Sequence, residues 1–459
     1  MLLASIILYL LLTVWVGYKA SQRVKTSGDF MLAGRSLPLV LSSAALFATW
    51  FGSETVFGAS SEFLKAGLIG VIEDPFGAAL CLLLFGFFYA RRLYQMNLLT
   101  LGDFFEVRYG KKTELIAGAF LVPSYVGYIA AQLVAMGLIL NVVTGLAVWQ
   151  GVLISTVVVT FYTVIGGMWA ISITDFIQSI IIVVGLIVLA VVMSDKAGGW
   201  DTVMASVPAD RFRFFPEGTP WGIMTWLAAW SVLGLGSIPS QDVYQRAMSS
   251  GSARTAEYSC YIAAALYLTV ALLPLFISLC AQHLYANQLT GDGQLVLPRM
   301  VLEHTNIVVQ ILFFGSLLSA IMSTTSSAIL APAAIFSENL VRPLRSKPFT
   351  DREMLLLTRG SILLFSALAT GMAMWRSNIY ELVGESSILS LVSLFVPLTF
   401  GLYWRRANSA GAILSMIFGL ATWLIFKNLD TEWPPLVPAL AVSLIVMVLS
   451  GYLVRTKTT

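Results

Sequence analysis

Apolar residues run through this 459-residue chain in long unbroken stretches rather than in alternation, as in the run from Ile180 to Met193. Strands of a membrane barrel would alternate apolar and polar positions over ~10-residue units, so the pattern predicts helices. A bilayer core needs ~20 apolar residues per helix. Thirteen stretches approach that length: 2–20, 38–64, 68–90, 114–142, 147–165, 170–193, 219–240, 256–282, 306–336, 353–375, 380–403, 409–426 and 435–454. The expectation is an all-α membrane protein with about 13 transmembrane helices.

Composition agrees. The chain is 58% hydrophobic and 11% charged, whereas a soluble domain carries roughly 25% charged residues. The net charge of +3 comes from scattered basic residues, which points to the lipid bilayer as partner and not to nucleic acid. Cys81, Cys260 and Cys280 lie in apolar segments and read as buried thiols rather than as a disulfide or metal set. The first eighteen residues lack a basic leading region and a small-residue cleavage site, so they read as a retained helix. The chain stops five residues after Leu453-Val454, which leaves no room for an appended soluble domain. A fragment of a longer protein would look the same.

Charge asymmetry orients the spans. With the N-terminus outside, the inner segments and helix ends hold Lys19, Arg23, Lys25, Arg35, Arg91, Arg92, Arg108, Lys111, Lys112, Arg246, Arg254, Arg342, Arg345, Lys347, Arg352, Arg359, Arg405, Arg406, Arg455 and Lys457, twenty of the 27 Lys and Arg. Thirteen spans then put the C-terminus in the cytoplasm.

The apolar pattern fails at three places. The second stretch carries Trp50-Phe51-Gly52-Ser53-Glu54 at its middle, and the seventh carries Gly234-Leu235-Gly236-Ser237-Ile238-Pro239-Ser240-Gln241-Asp242. Glycine is a poor helix former and proline removes a donor, so both helices are expected to break. Broken backbone at membrane depth must face protein or a wet cavity. Two such breaks five spans apart fit an inverted five-helix repeat with its site between them; close helix packing on glycine is the alternative. The ninth stretch holds six hydroxyls between Ser319 and Ser327. They suit a hard cation such as sodium, or they bond back to their own helix. Asp175 is an intramembrane acid near a helix start, either functional or a cap. Asp242 reads as a partner for Arg246 four residues on, and Trp226 and Trp230 as packing or lipid-facing residues.

Several strings in order resemble the sodium:solute symporter family across nearly the whole chain. They are Asp29 to Leu37, Thr100 to Gly110, Tyr162 to Trp169 with Thr174 to Gln178, and Ala320 to Thr324. The resemblance implies a leucine-transporter-type fold: a single transporter domain with an extra N-terminal helix (1–20), a first five-helix repeat (38–193), a second inverted repeat (219–403) and two C-terminal helices (409–454). It implies a sodium-coupled symporter in the cell membrane, a bacterial inner membrane by type, with sodium as co-substrate, no other cofactor and no enzyme activity. Carried over, sodium would be held by Ala48, Phe51 and Ala320 carbonyls and the Ser323 and Thr324 hydroxyls. A second sodium would use Ser323 with Ser326, Ser327 and Asp175.

The choline-transporter branch looks most similar, through Ala48-Thr49-Trp50 and Ser237 to Gln241 followed by Tyr244 to Ser250. A quaternary ammonium is held by ring faces. Trp50 matches one wall of such a cage, Tyr128 keeps an aromatic at a second, and Ser240 stands where a third tryptophan would be. Trp50, Glu54, Tyr128, Gln132, Ser240 and Gln241 are therefore the candidate substrate residues, for a small cationic or zwitterionic nitrogen compound. Two alternatives stay open: a transporter-like sensor domain, and a proton-coupled carrier using Glu54. Oligomeric state is not legible.

Overall fold

In the computed structural model the described residues are 2–22, 26–285, 293–429 and 431–453. Arg23, Lys25, Arg455 and Lys457, part of the charge asymmetry, lie outside them, as do Met1 and Val454. Among the described residues the chain is helical, with no strand, and each of the thirteen apolar stretches contains helix. Among the described residues ten helical segments are long and apolar enough to cross a membrane. The difference from thirteen has a physical origin in part. Glu54–Gln95 runs as one helical segment of 42 residues, covering parts of two anticipated spans. The breaks cut Leu39–Trp50 to 12 residues and Pro220–Gly234 to 15.

The elements around the middle of the molecule are α1 (Leu2–Ser21), α2 (Leu39–Trp50), α3 (Lys111–Thr144), α4 (Val148–Lys196), α5 (Pro220–Gly234), α6 (Gln241–Met248), α7 (Ile307–Ile335) and α8 (Ile379–Ser390). α2 packs on α4, α7 packs on α3 and α4, and α8 packs on α3. α1 lies against α4 and α7. α7 is buried along nearly its whole length from Phe313 to Ile335, as expected of a helix surrounded by protein rather than lipid. Cys81, Cys260 and Cys280 are buried as well.

Both expected breaks are present. α2 ends at Trp50, Phe51 leaves helical geometry with φ −80° and ψ 78°, and helix resumes at Glu54. α5 ends at Gly234 and α6 begins at Gln241, with Ser240 extended at φ −92° and ψ 139°. Pro239, lacking a backbone donor, lies in the gap. Gly236 sits against the Ser387 carbonyl, which would lie 2.5 Å from any Cβ placed there.

α4 comprises two helices joined at Gly167, where φ is +58°. That left-handed value suits glycine, and a Cβ would meet the Phe30 ring at 2.5 Å. This is the physical content of the Gly166-Gly167 string: it separates two spans and seats Phe30. Gly167→Val should therefore cost roughly 2 kcal/mol or more and lower the unfolding midpoint in detergent. Gly360→Ala, at a helical position with nothing within 4 Å, should be neutral or slightly stabilising. Equal midpoints for the two variants would contradict this account.

Candidate functional site

A helix that stops inside the protein leaves its last carbonyls without intrahelical donors. At the end of α2 each receives a side-chain hydroxyl from another element. Thr324 Oγ1 on α7 donates to the Ala48 carbonyl at 2.9 Å. Tyr128 on α3 donates to the Thr49 carbonyl at 2.9 Å. Tyr267 donates to the Trp50 carbonyl at 3.1 Å, and Thr55 reaches the same oxygen at 3.3 Å. The break is thus held open by side chains from three neighbouring elements.

Thr324 Oγ1 also lies 3.1 Å from the Ala320 carbonyl. Three of the anticipated sodium oxygens, from Ala48, Ala320 and Thr324, are therefore together at the break, and Phe51 is the non-helical residue there. Ser323 is turned elsewhere: its hydroxyl donates to Asp175 Oδ1. Of the six hydroxyls in the cluster, Ser319, Thr325, Ser326 and Ser327 bond to carbonyls of their own helix. Ser323 and Thr324 donate to other elements, and Ser319 also meets the Tyr9 hydroxyl of α1. The back-bonding alternative therefore accounts for four of the six.

The second set has an occupant that sequence reasoning missed. Arg246, 1% exposed, places Nη2 3.5 Å from Asp175 Oδ2 and donates to Ser327 Oγ. Its Nε donates to the Ala45 carbonyl at 2.9 Å. Asp175 is fully buried, so neither a solvated position nor a helix cap describes it. Arg246 therefore pairs with Asp175 on α4, which corrects the expected Asp242–Arg246 pair. Along α6 the Arg246 side chain reaches α2, α4 and α7 instead of its own N-terminal turn.

Asp242 faces a different partner. Tyr125 donates to Asp242 Oδ1 at 2.8 Å, and the Asp242 backbone N–H donates to Tyr125 Oη at 3.1 Å. Both residues line a cavity beside the α2 break, with an empty volume of about 410 Å³. Trp50, Tyr128 and Ser240 also line it, with Ser124, Ser237, Gly236 and, from α8, Val383, Ser386, Ser387 and Ser390.

Three of the six candidate substrate residues, Trp50, Tyr128 and Ser240, thus meet at one cavity. Glu54 and Gln132 sit behind it. Gln132 Nε2 donates to Glu54 Oε2 at 2.8 Å, and the Tyr128 hydroxyl, its one proton shared with the closer Thr49 carbonyl, lies 3.2 Å from Glu54 Oε1. Gln132 Oε1 accepts from the Ser53 N–H at 3.0 Å, tying the break to α3. Gly52 fits this crowd because a Cβ there would stand 2.8 Å from Glu54 Oε2, 2.9 Å from Gln132 Oε1 and 3.1 Å from Thr324 Oγ1. Gln241 does not reach the cavity, and its placement there is corrected. Its Oε1 accepts from the Leu101 N–H at 2.7 Å, because the first residue of α6 points toward the Thr100 loop. Trp226 and Trp230 pack in an aromatic cluster with Phe76, Phe214 and Phe215, as expected.

The cavity serines of α8 and Tyr125 were not anticipated. A signal existed for Tyr125, which precedes Tyr128 by three residues and Gln132 by seven, so all three share one helix face.

Interrupted helices, a buried oxygen cluster at one break and a small cavity between the two breaks define a solute carrier of the membrane. The chain belongs to the sodium:solute symporter family, whose family model matches residues 30–419, and it is a transporter rather than an enzyme. It is 27% identical over 445 residues to the high affinity choline transporter 1 of Homo sapiens, covering 91% of this chain and 75% of that one. It is 28% identical over 459 residues to the high-affinity proline transporter PutP of Bacillus subtilis (strain 168), covering 94% and 93%. The fold is that of a Na+-coupled sialic acid symporter, with a TM-score of 0.85, 18% identity and coverage of 99% and 98%. Mhp1, a nucleobase-cation-symport-1 family transporter, shares the architecture at a TM-score of 0.58 and 16% identity, covering 92% and 94%.

The buried pair gives a prediction. Removing one partner of a buried ion pair leaves an uncompensated charge and costs about 3–5 kcal/mol. Arg246→Gln alone should lower the unfolding midpoint in detergent strongly, and adding Asp175→Asn should recover part of the loss. A double variant no more stable than the single one would show that the two residues are not coupled.

Proposed function

We propose that this protein imports a small nitrogen-containing solute by sodium-coupled alternating access, through thirteen spans with the N-terminus outside and the C-terminus in the cytoplasm. The domain division is the one expected from the sequence: an extra helix at 1–20, repeats at 38–193 and 219–403 and two closing helices at 409–454. The observation that carries the reading is the Thr324 hydroxyl lying between the Ala48 and Ala320 carbonyls, at 2.9 and 3.1 Å. That is a set of neutral oxygens from two elements, suited to a hard monovalent cation. Phe51 belongs to the proposed sodium site, and Ser323 joins it by turning its hydroxyl away from Asp175, to which it donates here. Outside sodium steadies the outward-facing arrangement of α2 and α7, solute enters the cavity at Trp50, Tyr128 and Ser240, and closure and inward release follow.

The reading takes one sodium per cycle. Of Ser326, Ser327 and Asp175, the residues a second ion would use, Ser327 and Asp175 form with Ser323 a group already served by the Arg246 guanidinium, and Ser326 bonds back to its own helix. A tethered cation there neutralises Asp175. Glu54 is hydrogen-bonded to Gln132 and Tyr128 and acts through them on the cavity wall. Choline and proline, named for the two relatives, bracket the solute class as a cation and a zwitterion.

The test is sodium dependence in proteoliposomes. Thr324→Ala should raise the sodium concentration for half-maximal uptake about tenfold, as loss of one ligand implies, and Ser323→Ala should raise it less. Uptake that persists when potassium replaces sodium would refute the coupling. The reversal potential should give one sodium per solute, and a value of two would overturn the role given to Arg246.

A further inference from the structure

The geometry points to Asp242 as the counter-ion of the solute, and to a solute bearing a protonated amine with N–H donors rather than a quaternary ammonium. The inference rests on the cavity being the transport site, and it names the solute class for that site.

The carboxylate is 4% exposed and lines the cavity. Its one side-chain partner is the Tyr125 hydroxyl. Arg246, four residues on, is committed to Asp175, Ser327 and the Ala45 carbonyl. Among the described residues no basic side chain lies within 4.0 Å of Asp242, and none lines the cavity. A buried carboxylate without a cation is costly, so a cationic ligand relieves it.

The cavity hydroxyls point the same way. Ser124 donates its proton to the Leu121 carbonyl at 2.7 Å, Ser240 to the Ser237 carbonyl at 2.6 Å and Ser386 to the Leu382 carbonyl at 2.8 Å. With their protons spent, these hydroxyls offer lone pairs. The wall is therefore rich in acceptors. Among the described residues its unspent donors are few: Ser390 Oγ and Trp50 Nε1, both buried without a partner, and one proton of the Ser237–Ser387 hydroxyl pair. An N–H-bearing ammonium supplies the donors such a wall lacks. A trimethylated ammonium has none to give to Asp242 or to the serine lone pairs, and is left with the ring faces of Trp50, Tyr125 and Tyr128. A ligand carboxylate would meet Asp242 and the acceptor-rich serines and be repelled.

The experiment uses the purified full chain in detergent with sodium and reads thermal shift against a methylation series: ethanolamine, its mono- and dimethyl forms, and choline, with proline as the zwitterion. Half-saturating concentration should rise along the series, and choline should bind roughly tenfold more weakly than ethanolamine, since charge-assisted hydrogen bonds are lost. Asp242→Asn should remove amine binding, Asp242→Glu should restore part of it, and both should keep stabilisation by sodium alone. That last readout shows that the variants are folded. Choline or proline binding as well as ethanolamine, an Asp242→Asn variant that binds amines normally, or no binding by any of the series would each overturn the inference. Loss of stabilisation by sodium in the unaltered protein would instead overturn the symport reading.

Discussion

An unfinished helix in a medium without water is the constraint on which the rest depends. α2 stops at Trp50 with Ala48, Thr49 and Trp50 presenting carbonyls beyond the reach of regular helix bonds, although the Gly52 N–H reaches that of Trp50 at 2.9 Å. Leaving each unmet at membrane depth would cost several kcal/mol. Hydroxyls of Thr324, Tyr128, Tyr267 and Thr55 therefore converge on them. Tyr128 belongs to α3 and Thr324 to α7, so the break sets how both helices lie. It also makes the local chemistry soft. Each of these contacts is a neutral hydrogen bond of about 1 kcal/mol net, which an ion or a shift of one helix can exchange without a large penalty.

The opposite regime holds one layer away. Arg246 joins α6 to α2, α4 and α7 through Ala45, Asp175 and Ser327, and Ser323 completes the group from α7. A fully buried charge pair is held by its own desolvation, since separating the partners exposes each to a low dielectric. The molecule thus sets an exchangeable neutral cluster at the break beside a rigid charged one linking both broken helices. The serine-lined cavity opens next to the exchangeable side.

What was legible in the sequence follows from this layering. Apolar runs, breaks and the hydroxyl cluster are local signals, and the structure has helix in every run and gaps near Gly52 and Pro239. The recurrent strings were legible because they hold the frame together. Thr100 caps the helix Leu101–Tyr109 with Asp103, Gly102 leaves room for Asn339, and Gly167 does so for Phe30. Partners across the fold were not legible. The i,i+4 spacing of Asp242 and Arg246 suggested a pair, but spacing says which residues share a face and not what that face meets. Gln241 failed for the same reason, because the first turn of α6 has one side toward the cavity and another toward Leu101. The α8 serines carried no signal in the sequence. Only the folded chain puts them opposite Trp50.

The two layers also bear on energetics. A neutralised Asp175–Arg246 pair carries no net charge through the cycle, so the membrane potential acts on what enters the site. One sodium falling through 100 mV supplies roughly 2.3 kcal/mol. On the proposed reading a cationic solute adds its own charge, which brings the electrical term to about 4.6 kcal/mol per 100 mV for the pair. That is more than a thousandfold accumulation before any sodium gradient is counted, since about 1.4 kcal/mol is tenfold. A zwitterion with one sodium would have half of that term. A single ion is therefore sufficient for a cation and weak for a zwitterion.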